Sequence, residues 1–359
     1  MIQNSNSTNF IIDSNKIKSG QVGWKSPSNL AIIKYWGKYG DQLPQNASIS
    51  FTLSKSLTKT QVEWDIEGKD LEVYFEGKKN KAFAQRLKKV VDRLEKEIPV
   101  IKNMGFKVQT DNTFPHSAGI ASSASALSAF ALCLCSIENF YKEEKINESF
   151  YNKASHCSRL GSGSASRSVF GNWVEWGENN FDSKFNNLYS TPVEGVHSEF
   201  MNIKDSILII SAEEKSVSST VGHKLMDGNP YADIRFNQAN TRIKDLVQAL
   251  RTGDWEKFGF IAESEALTLH SLMMSSLSSY ILMRPNSITA IEKVRDFRNS
   301  SNIPLYFSLD AGPNLHLLYP DYVEDKVKEF MENELKNLCH DGRIIHDEIG
   351  QGPENFKPI

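Results

Sequence analysis

Cysteine is scarce in this sequence, and its few copies form no recognisable pattern. The four cysteines are Cys133, Cys135, Cys157 and Cys339, and their spacing fits neither a zinc site nor a disulfide framework. Such usage favours a reducing compartment. The first ten residues also lack the charged and apolar segments of a signal peptide. We therefore expect a cytoplasmic protein.

An excess of basic residues is also absent. Lysine and arginine total 41 against 44 aspartates and glutamates, which gives a formal net charge of -3 over 359 residues. A basic face for nucleic acid is therefore not expected. The most apolar run, residues 124–137, is too short and too often interrupted by serine to span a membrane. We interpret it as a buried helix, and no membrane partner is expected.

Hydrophobic periodicity predicts an α+β chain, and its length is enough for two lobes. Residues 24–64 alternate and carry many turn residues, which is typical of strands. Residues 1 to about 20 are polar and predict a loose tail or edge segment. We place the lobe boundary in a polar stretch, so that residues 1–195 form the N-terminal lobe and 196–359 the C-terminal lobe. Helices are predicted at 81–98, from 122 onward, and at 148–159, 231–250, 255–274, 285–299 and 323–338, and strands at 106–110, 206–212, 305–309, 315–319 and 343–348.

A Gly/Ser-rich segment from Pro115 to Ala126 leads into the apolar helix. Small residues let the backbone approach an anion closely. The first N–H groups of a helix are unpaired and carry partial positive charge, so they form a ready phosphate site. No Gly-Lys-Ser/Thr follows, and therefore the segment is not a Walker A loop. Taken alone, it is equally compatible with a capped core helix that follows a flexible turn.

Three further clusters carry charge at places where strands and turns meet. The stretch Pro27–Lys38 ends with two lysines four residues apart, and a lysine at the end of a buried strand is costly unless it meets an anion. The stretch Gly161–Ser168 combines backbone N–H groups and hydroxyls with Arg167, a set suited to a carboxylate or phosphate. Asp310 follows an apolar strand and precedes a tight turn. Taken alone, each cluster has a plainer interpretation: the first would be surface lysines, the second a Gly/Ser linker and the third an aspartate that begins a turn.

In combination, these segments resemble the mevalonate diphosphate decarboxylase family of the GHMP kinase superfamily. The most specific strings are Ile33-Lys34-Tyr35-Trp36-Gly37-Lys38 and Gly161-Ser162-Gly163-Ser164-Ala165-Ser166-Arg167-Ser168. Six matches follow in the family's order and span nearly the whole chain, at residues 29–38, 43–50, 112–125, 161–168, 217–222 and 310–314. The resemblance implies a two-lobed GHMP kinase fold. Its N-terminal lobe would resemble ribosomal protein S5 domain 2, its C-terminal lobe would be ferredoxin-like, and a cleft would lie between them.

The resemblance also implies an activity and its requirements. ATP, with Mg²⁺, would drive decarboxylation of (R)-5-diphosphomevalonate to isopentenyl diphosphate, CO₂, ADP and phosphate, in the mevalonate pathway of isoprenoid biosynthesis. The 3-hydroxyl would be phosphorylated first and then leave. Such enzymes are commonly homodimers. The alternatives are a related enzyme that acts on mevalonate or 5-phosphomevalonate, as a 3-kinase or a phosphomevalonate decarboxylase, and a non-catalytic regulator of the same fold.

Residue roles follow from the resemblance, position by position. Asp310 matches the essential aspartate near the 3-hydroxyl, Lys34 the lysine near the transferred phosphate, and Arg167 the arginine that grips the substrate carboxylate. Mg²⁺ would be held largely by ATP phosphates, with Ser122 or Ser123 as candidate ligands. Further substrate positions are Tyr35, Lys38, Ser162, Gly163, Ser164 and Ser219, and nucleotide positions are Asn112, Pro115, Gly119, Ala121, Ser122 and Ser123.

Several residues depart from the family pattern without removing Lys34, Arg167 or Asp310. His223 stands where methionine usually follows Gly222. A histidine in the Gly/Ser loop is expected to be a satisfied loop residue. The other departures are His116, Ser117, Tyr39, Gly40, Ala47 and Ser166. They leave the core chemistry intact, while the changes near Lys38 and at His223 bear on substrate selectivity.

Overall fold

The described part of the chain contains two main sheets with helices packed against them. In a computed structural model, the described residues are 17–102, 104–115, 120–213 and 217–359. Most of the polar tail predicted at the N-terminus, together with His116, Ser117 and Gly119, lies outside these residues. The strands are β1 Ser19–Ile33, β2 Lys38–Tyr39, β3 Leu43–Pro44, β4 Ser48–Asp65, β5 Leu71–Phe75, β6 Lys78–Lys79, β7 Gly105–Asn112, β8 Trp173–Trp176, β9 Thr191–Pro192, β10 Lys204–Leu208, β11 Tyr306–Ser308, β12 Leu315–Tyr319, β13 Ile344–Glu348 and β14 Glu354–Lys357.

α-Helices and a 3-10 helix accompany these strands. The α-helices are α1 Lys81–Leu94, α2 Ser122–Lys142, α3 Glu148–Gly161, α4 Ser219–Lys224, α5 Ala232–Thr252, α6 Trp255–Met274, α7 Pro285–Ser301 and α8 Glu324–Phe330. A 3-10 helix, Gly163–Val169, follows α3 directly. Local signals set several of these ends: Asn80 and Asn147 cap α1 and α3 with their side chains.

The first sheet is built around the two long strands β1 and β4. They pair antiparallel, and bulges interrupt the ladder near Pro27 and Ala31. The sheet order is β14-β1-β4-β7-β5-β6, with β8 and β9 continuing from β4. The early part of β4, from Ser48 to Leu53, is buried on both faces, because elements of the second sheet cover it where it leaves the first core. Lys34, the residue after β1, therefore lies where the first sheet meets elements of the second.

Helix α2 fills the core behind this sheet, as the apolar run predicted. By length and composition it could cross a membrane, but 83% of its most apolar window is buried inside the protein. A serine in its middle is satisfied within the core: the Ser136 hydroxyl accepts from Trp24 Nε1 at 2.9 Å and donates to the Leu132 carbonyl. Cys133, Cys135, Cys157 and Cys339 are all buried and free.

The second sheet has the order β11-β12-β10-β13 and is antiparallel throughout. Helices α5, α6, α7 and α8 bury their apolar residues against it and against the first sheet. Helix α6 begins and ends where the periodicity predicts, and Asp254 caps it by accepting from the Lys257 N–H at 2.9 Å.

Several segments differ from the expected pattern. The helix predicted at 81–98 ends at Leu94, and the strand predicted at 206–212 spans Lys204–Leu208. The predicted helix at 323–338 is α-helical only to Phe330, and a π turn, Met331–Leu335, continues it. Strand β14 is short and polar, which is why alternation does not predict it, and it pairs with β1 of the first sheet. The lobe boundary near residue 195 remains a prediction.

Candidate active site

Loops from both sheets converge on one cleft. Its walls come from the turn after β1, the start of α2, the turn joining α3 to the 3-10 helix, helix α4, and the loop after β11. These segments are far apart in the sequence, so only the fold brings them together. The predicted residues that line the cleft are Lys34, Tyr35, Lys38, Ala121, Ser123, Ser162, Gly163, Ser164, Arg167, Ser219 and Asp310.

Three predicted nucleotide positions do not line this cleft: Asn112, Pro115 and Ser122. Asn112 ends β7, and its side-chain oxygen accepts a hydrogen bond from Thr58 Oγ1 at 2.7 Å. Gly119 lies outside the described residues. The roles given to all these residues therefore remain predictions, and the described geometry supports the substrate side more fully than the nucleotide side.

A buried lysine and a partly exposed aspartate form the centre of the cleft. Lys34 Nζ lies 2.9 Å from Asp310 Oδ1 and 2.9 Å from Ser308 Oγ. The Lys34 side chain is 2% exposed, whereas that of Asp310 is 26% exposed and faces the cleft. A buried cation is stable when it is paired and hydrogen-bonded. The pair therefore holds an ammonium group beside a carboxylate that a ligand can reach.

The backbone of Lys34 is clamped by a buried ionic network from the other half of the molecule. Its N–H donates to Glu265 Oε2 at 2.9 Å, and its carbonyl accepts from Arg235 Nη2 at 3.1 Å. Arg235 grips Glu265 with two hydrogen bonds of 2.7 and 2.6 Å, and Arg242 adds a third at 2.7 Å. Burial alone would raise the pKa of Glu265, but these partners bring it below its ordinary value. No sequence pattern singles out these residues, because charges on α5 and α6 look like solvent-facing groups.

Arg167 is fully buried and has only uncharged partners among the described residues. Its guanidinium donates to Ser50 Oγ at 2.9 Å, to Ser48 Oγ at 2.6 Å and to the Asn29 side-chain oxygen at 3.4 Å. Burial lowers its pKa to about 10, and Asp310 opposes that shift. The group remains charged near neutral pH and lines the cleft. A guanidinium held in this way is prepared for an anion with two oxygens in one plane.

Tyr35 presents a buried hydroxyl without a hydrogen-bond partner in the described structure. Burial raises its pKa, so the hydroxyl stays protonated and can donate. Gly163 is required beside it, since a Cβ there would lie 2.7 Å from the Tyr35 hydroxyl and 2.8 Å from the Trp176 ring. A buried orphan donor in a cleft indicates a ligand group as its partner.

Two more cations stand at the rim. Lys38 Nζ donates to Gln42 Oε1 at 2.8 Å, and burial followed by the charge of Arg93 lowers its pKa. Arg86 of α1 also lines the cleft; helical periodicity predicts its helix but not this role. Together with Lys34 and Arg167, these groups make the cleft attractive to a multiply charged anion.

The start of α2 lies at the cleft, directly after the Gly/Ser segment for which phosphate binding is predicted. Within the described residues, no side chain caps this helix at Ala121. Alanine has no side-chain acceptor to offer the first N–H groups of the helix, and Ala121 and Ser123 line the cleft. Such an end favours a phosphate group.

The fold and site together define a two-lobed enzyme of the GHMP kinase type, in which a helix N-terminus and a cationic cleft meet a Lys–Asp pair. Two family models match the chain in sequence order. The diphosphomevalonate decarboxylase-like N-terminal domain matches residues 26–185, and the mevalonate 5-diphosphate decarboxylase C-terminal domain matches residues 206–355. The chain belongs to the diphosphomevalonate decarboxylase family.

Similar proteins agree with this assignment. The diphosphomevalonate decarboxylase of Debaryomyces hansenii is 28% identical over 92% of this chain and 93% of its own length. The Staphylococcus aureus mevalonate diphosphate decarboxylase is 25% identical, with a TM-score of 0.83 over 94% of this chain and 98% of its own. A structure of MDDEF in complex with MVAPP, AMPPCP and magnesium is 26% identical, with a TM-score of 0.82 over 94% of this chain and 99% of its own.

These findings confirm the predicted family, fold class and enzyme class. The chain is an enzyme of this family. The alternatives, a related enzyme acting on mevalonate or 5-phosphomevalonate and a non-catalytic regulator, are not favoured.

Proposed function

We propose that this cleft carries out the family's reaction on (R)-5-diphosphomevalonate, with Asp310, Lys34 and Arg167 as its catalytic residues. The observation that carries the assignment is their convergence in one cleft. A partly exposed carboxylate, paired to a buried ammonium, lies there together with a buried guanidinium that has no acidic hydrogen-bond partner among the described residues. The products would be isopentenyl diphosphate, CO₂, ADP and phosphate.

In the first step, the γ-phosphoryl group of ATP passes to the substrate's 3-oxygen, and the hydroxyl proton is lost. Asp310 is placed to accept or orient that proton, because its carboxylate faces the cleft. Lys34, 2.9 Å away, offsets negative charge that develops on the transferred group. Glu265 and Arg235 clamp its backbone, and Ser308 and Asp310 hold its ammonium group.

In the second step, the bond between the carboxylate carbon and C2 breaks. Its electron pair forms the C2–C3 double bond, and phosphate leaves from C3 with the C3–O electron pair. Arg167 would hold the carboxylate in the orientation that this elimination needs. Its hydrogen bonds to Ser48 and Ser50 hold the guanidinium in a fixed position during the reaction.

Tyr35 and Lys38 are proposed to bind the substrate's diphosphate, with Ser162, Gly163, Ser164 and Ser219 lining its pocket. The start of α2, with Ala121 and Ser123, is proposed to bind the nucleotide phosphates. Asn112, Pro115, Gly119 and Ser122 remain predicted contributors to that region.

Mg²⁺ fits this site as an ion shared with ATP rather than held by the protein alone. Among the described residues, no group of three or more His, Cys, Asp or Glu side chains could hold a metal. Ser123 and Asp310 nevertheless offer oxygen atoms at the cleft, and Mg²⁺ prefers few protein oxygens together with phosphates and water. Bound there, the ion would neutralise phosphate charge.

The remaining expectations concern the cell and the assembly. We propose a cytoplasmic homodimer with no nucleic-acid or membrane partner. The buried free cysteines are compatible with a reducing compartment. Sedimentation equilibrium would test the dimer, and a concentration-independent monomer mass would reject it.

The substrate assignment is tested by offering mevalonate, 5-phosphomevalonate and 5-diphosphomevalonate separately with ATP and Mg²⁺. We expect ADP release and CO₂ release to be coupled, and kcat/KM to be highest for the diphosphate. A higher kcat/KM for either other compound would overturn the assignment.

A further inference from the structure

His223 lies in the wall of the cleft, although the proposed chemistry gives it no role. It belongs to the short helix α4, and its ring is buried. The ring centroid lies 4.4 Å from that of Tyr35 and 4.7 Å from that of Trp36. Two aromatic neighbours therefore fix the plane of the imidazole beside a proposed substrate contact.

One ring nitrogen of His223 is already committed. Nδ1 accepts a hydrogen bond from the Gly37 N–H at 3.0 Å, so it carries no proton. A neutral imidazole then bears its proton on Nε2. Burial, with the charges of Lys38 and Arg167, lowers the pKa of His223 to about 3, and the ring is neutral near pH 7.

The second nitrogen, Nε2, has no hydrogen-bond partner among the described residues, and His223 lines the cleft. Among charged groups, Lys38 lowers the pKa of the His223 ring the most. A neutral N–H donor beside these cations adds a hydrogen bond to an anion without adding charge repulsion.

We infer that His223 is a substrate-specificity residue, whose Nε2–H donates to an oxygen of the substrate's diphosphate alongside Tyr35 and Lys38. We favour the substrate's diphosphate over its carboxylate as the acceptor, because the ring lies next to the two proposed diphosphate contacts. It packs on Tyr35 and accepts from Gly37, the residue directly before Lys38. This inference rests on the proposed function, since it assigns the ligand of the same cleft.

His223 has two separable roles, and two substitutions divide them. In His223→Asn the side-chain oxygen can replace Nδ1 as acceptor for the Gly37 N–H, but nothing reaches the position of Nε2. In His223→Gln the amide nitrogen can reach the position of Nε2 and donate. We expect the Asn variant to raise the KM for 5-diphosphomevalonate by roughly 10-fold or more, the loss of a hydrogen bond to a charged group. The Gln variant should stay within a few-fold of wild type.

The readouts are chosen to exclude a merely structural role. The KM for ATP and the melting temperature of the ligand-free protein should change little in the Asn variant, while substrate-induced thermal protection should fall. Imidazole ¹⁵N NMR of the wild type should show a protonated Nε2, whose resonance shifts when 5-diphosphomevalonate binds.

Three outcomes are decisive. A wild-type KM in His223→Asn would overturn the inference, as would equal loss of affinity for ATP and substrate. A protonated Nδ1 in the NMR spectrum would also overturn it. If the wild-type enzyme neither binds nor converts 5-diphosphomevalonate, the proposed function itself fails, which is a distinguishable result.

Discussion

At the scale of single residues, the site depends on charged side chains that line the cleft. Lys34 is buried and paired, but its partner Asp310 remains open to the cleft. Arg167 is buried with hydroxyl and amide partners only, among the described residues. Burying a cation in this way is costly. The arrangement is therefore understandable when an anionic ligand supplies the missing partner.

Asp310→Asn removes the carboxylate charge with almost no change of volume. We expect kcat to fall by about 100-fold or more, the size of effect associated with losing a positioned proton acceptor. Substrate binding should persist, because Arg167 and Lys38 are untouched. Steady-state kinetics, with the exposed Asp321→Asn as matched control, would measure this. A kcat within a few-fold of wild type would reject the role given to Asp310.

Arg167→Lys keeps a positive charge but loses the planar fork. The shorter reach also leaves Ser48 and Ser50 without their donor. We expect kcat/KM to fall by about 100-fold, equivalent to roughly 2.7 kcal/mol. The exposed Arg343→Lys is the matched control. Unchanged kinetics in Arg167→Lys would show that the guanidinium does not hold the reacting carboxylate.

At the scale of elements, helices α5 and α6 support the site by holding the end of β1. Glu265 of α6 binds the Lys34 N–H, and Arg235 of α5 binds both Glu265 and the Lys34 carbonyl. The catalytic lysine is thus positioned through its backbone by residues distant in sequence. Breaking one member of a buried ionic network leaves the others without compensation.

Glu265→Gln should destabilise the fold by about 3 kcal/mol, since the amide presents one acceptor fewer to the buried guanidinium of Arg235 and the partly buried one of Arg242. Urea unfolding would measure the loss, and the exposed Glu256→Gln on the same helix is the control. We also expect kcat to fall in this variant, because the hydrogen bond that positions the Lys34 backbone is weakened. A midpoint unchanged from wild type would contradict the network's importance.

The same network predicts a pH dependence with a definite sign. The folded-state pKa of Glu265 lies below its ordinary value of 4.5. Its contribution to stability is therefore fully present above the unfolded pKa and is lost as the pH falls through the lower folded pKa. Unfolding free energy measured from pH 6 downward should decline less steeply in Glu265→Gln than in wild type. Parallel curves would exclude this linkage.

At the scale of the whole molecule, the C-terminal segment joins the two halves. After β13, the Gly350 N–H donates to the Thr52 carbonyl at 2.7 Å, and β14 then pairs with β1. A side chain at position 350 would meet the backbone of Leu53, with a Cβ only 2.4 Å from its carbonyl oxygen. The strand that completes the first sheet is therefore supplied by the end of the chain.

Features of this molecule that depend on neighbouring residues can be predicted from the sequence, whereas features that depend on contacts between distant elements cannot. Lys34, Arg167 and Asp310 lie in short strings that resemble the family, and the fold brings them to one cleft. Helix α6 is bounded by a local cap and is predicted to the residue. Glu265 and Arg235 are not predictable, because their burial depends on contacts across distant elements. The hydrogen bond that sets the tautomer of His223 likewise exists only in the folded chain.

The most direct test of the account is the stoichiometry of one reaction. Carboxyl-labelled 5-diphosphomevalonate would be incubated with ATP, Mg²⁺ and enzyme, and CO₂, isopentenyl diphosphate and ADP would be counted together. We predict one molecule of each per turnover, with Asp310→Asn suppressing all three. ADP release with a stable 3-phosphorylated product and no CO₂ would contradict the account.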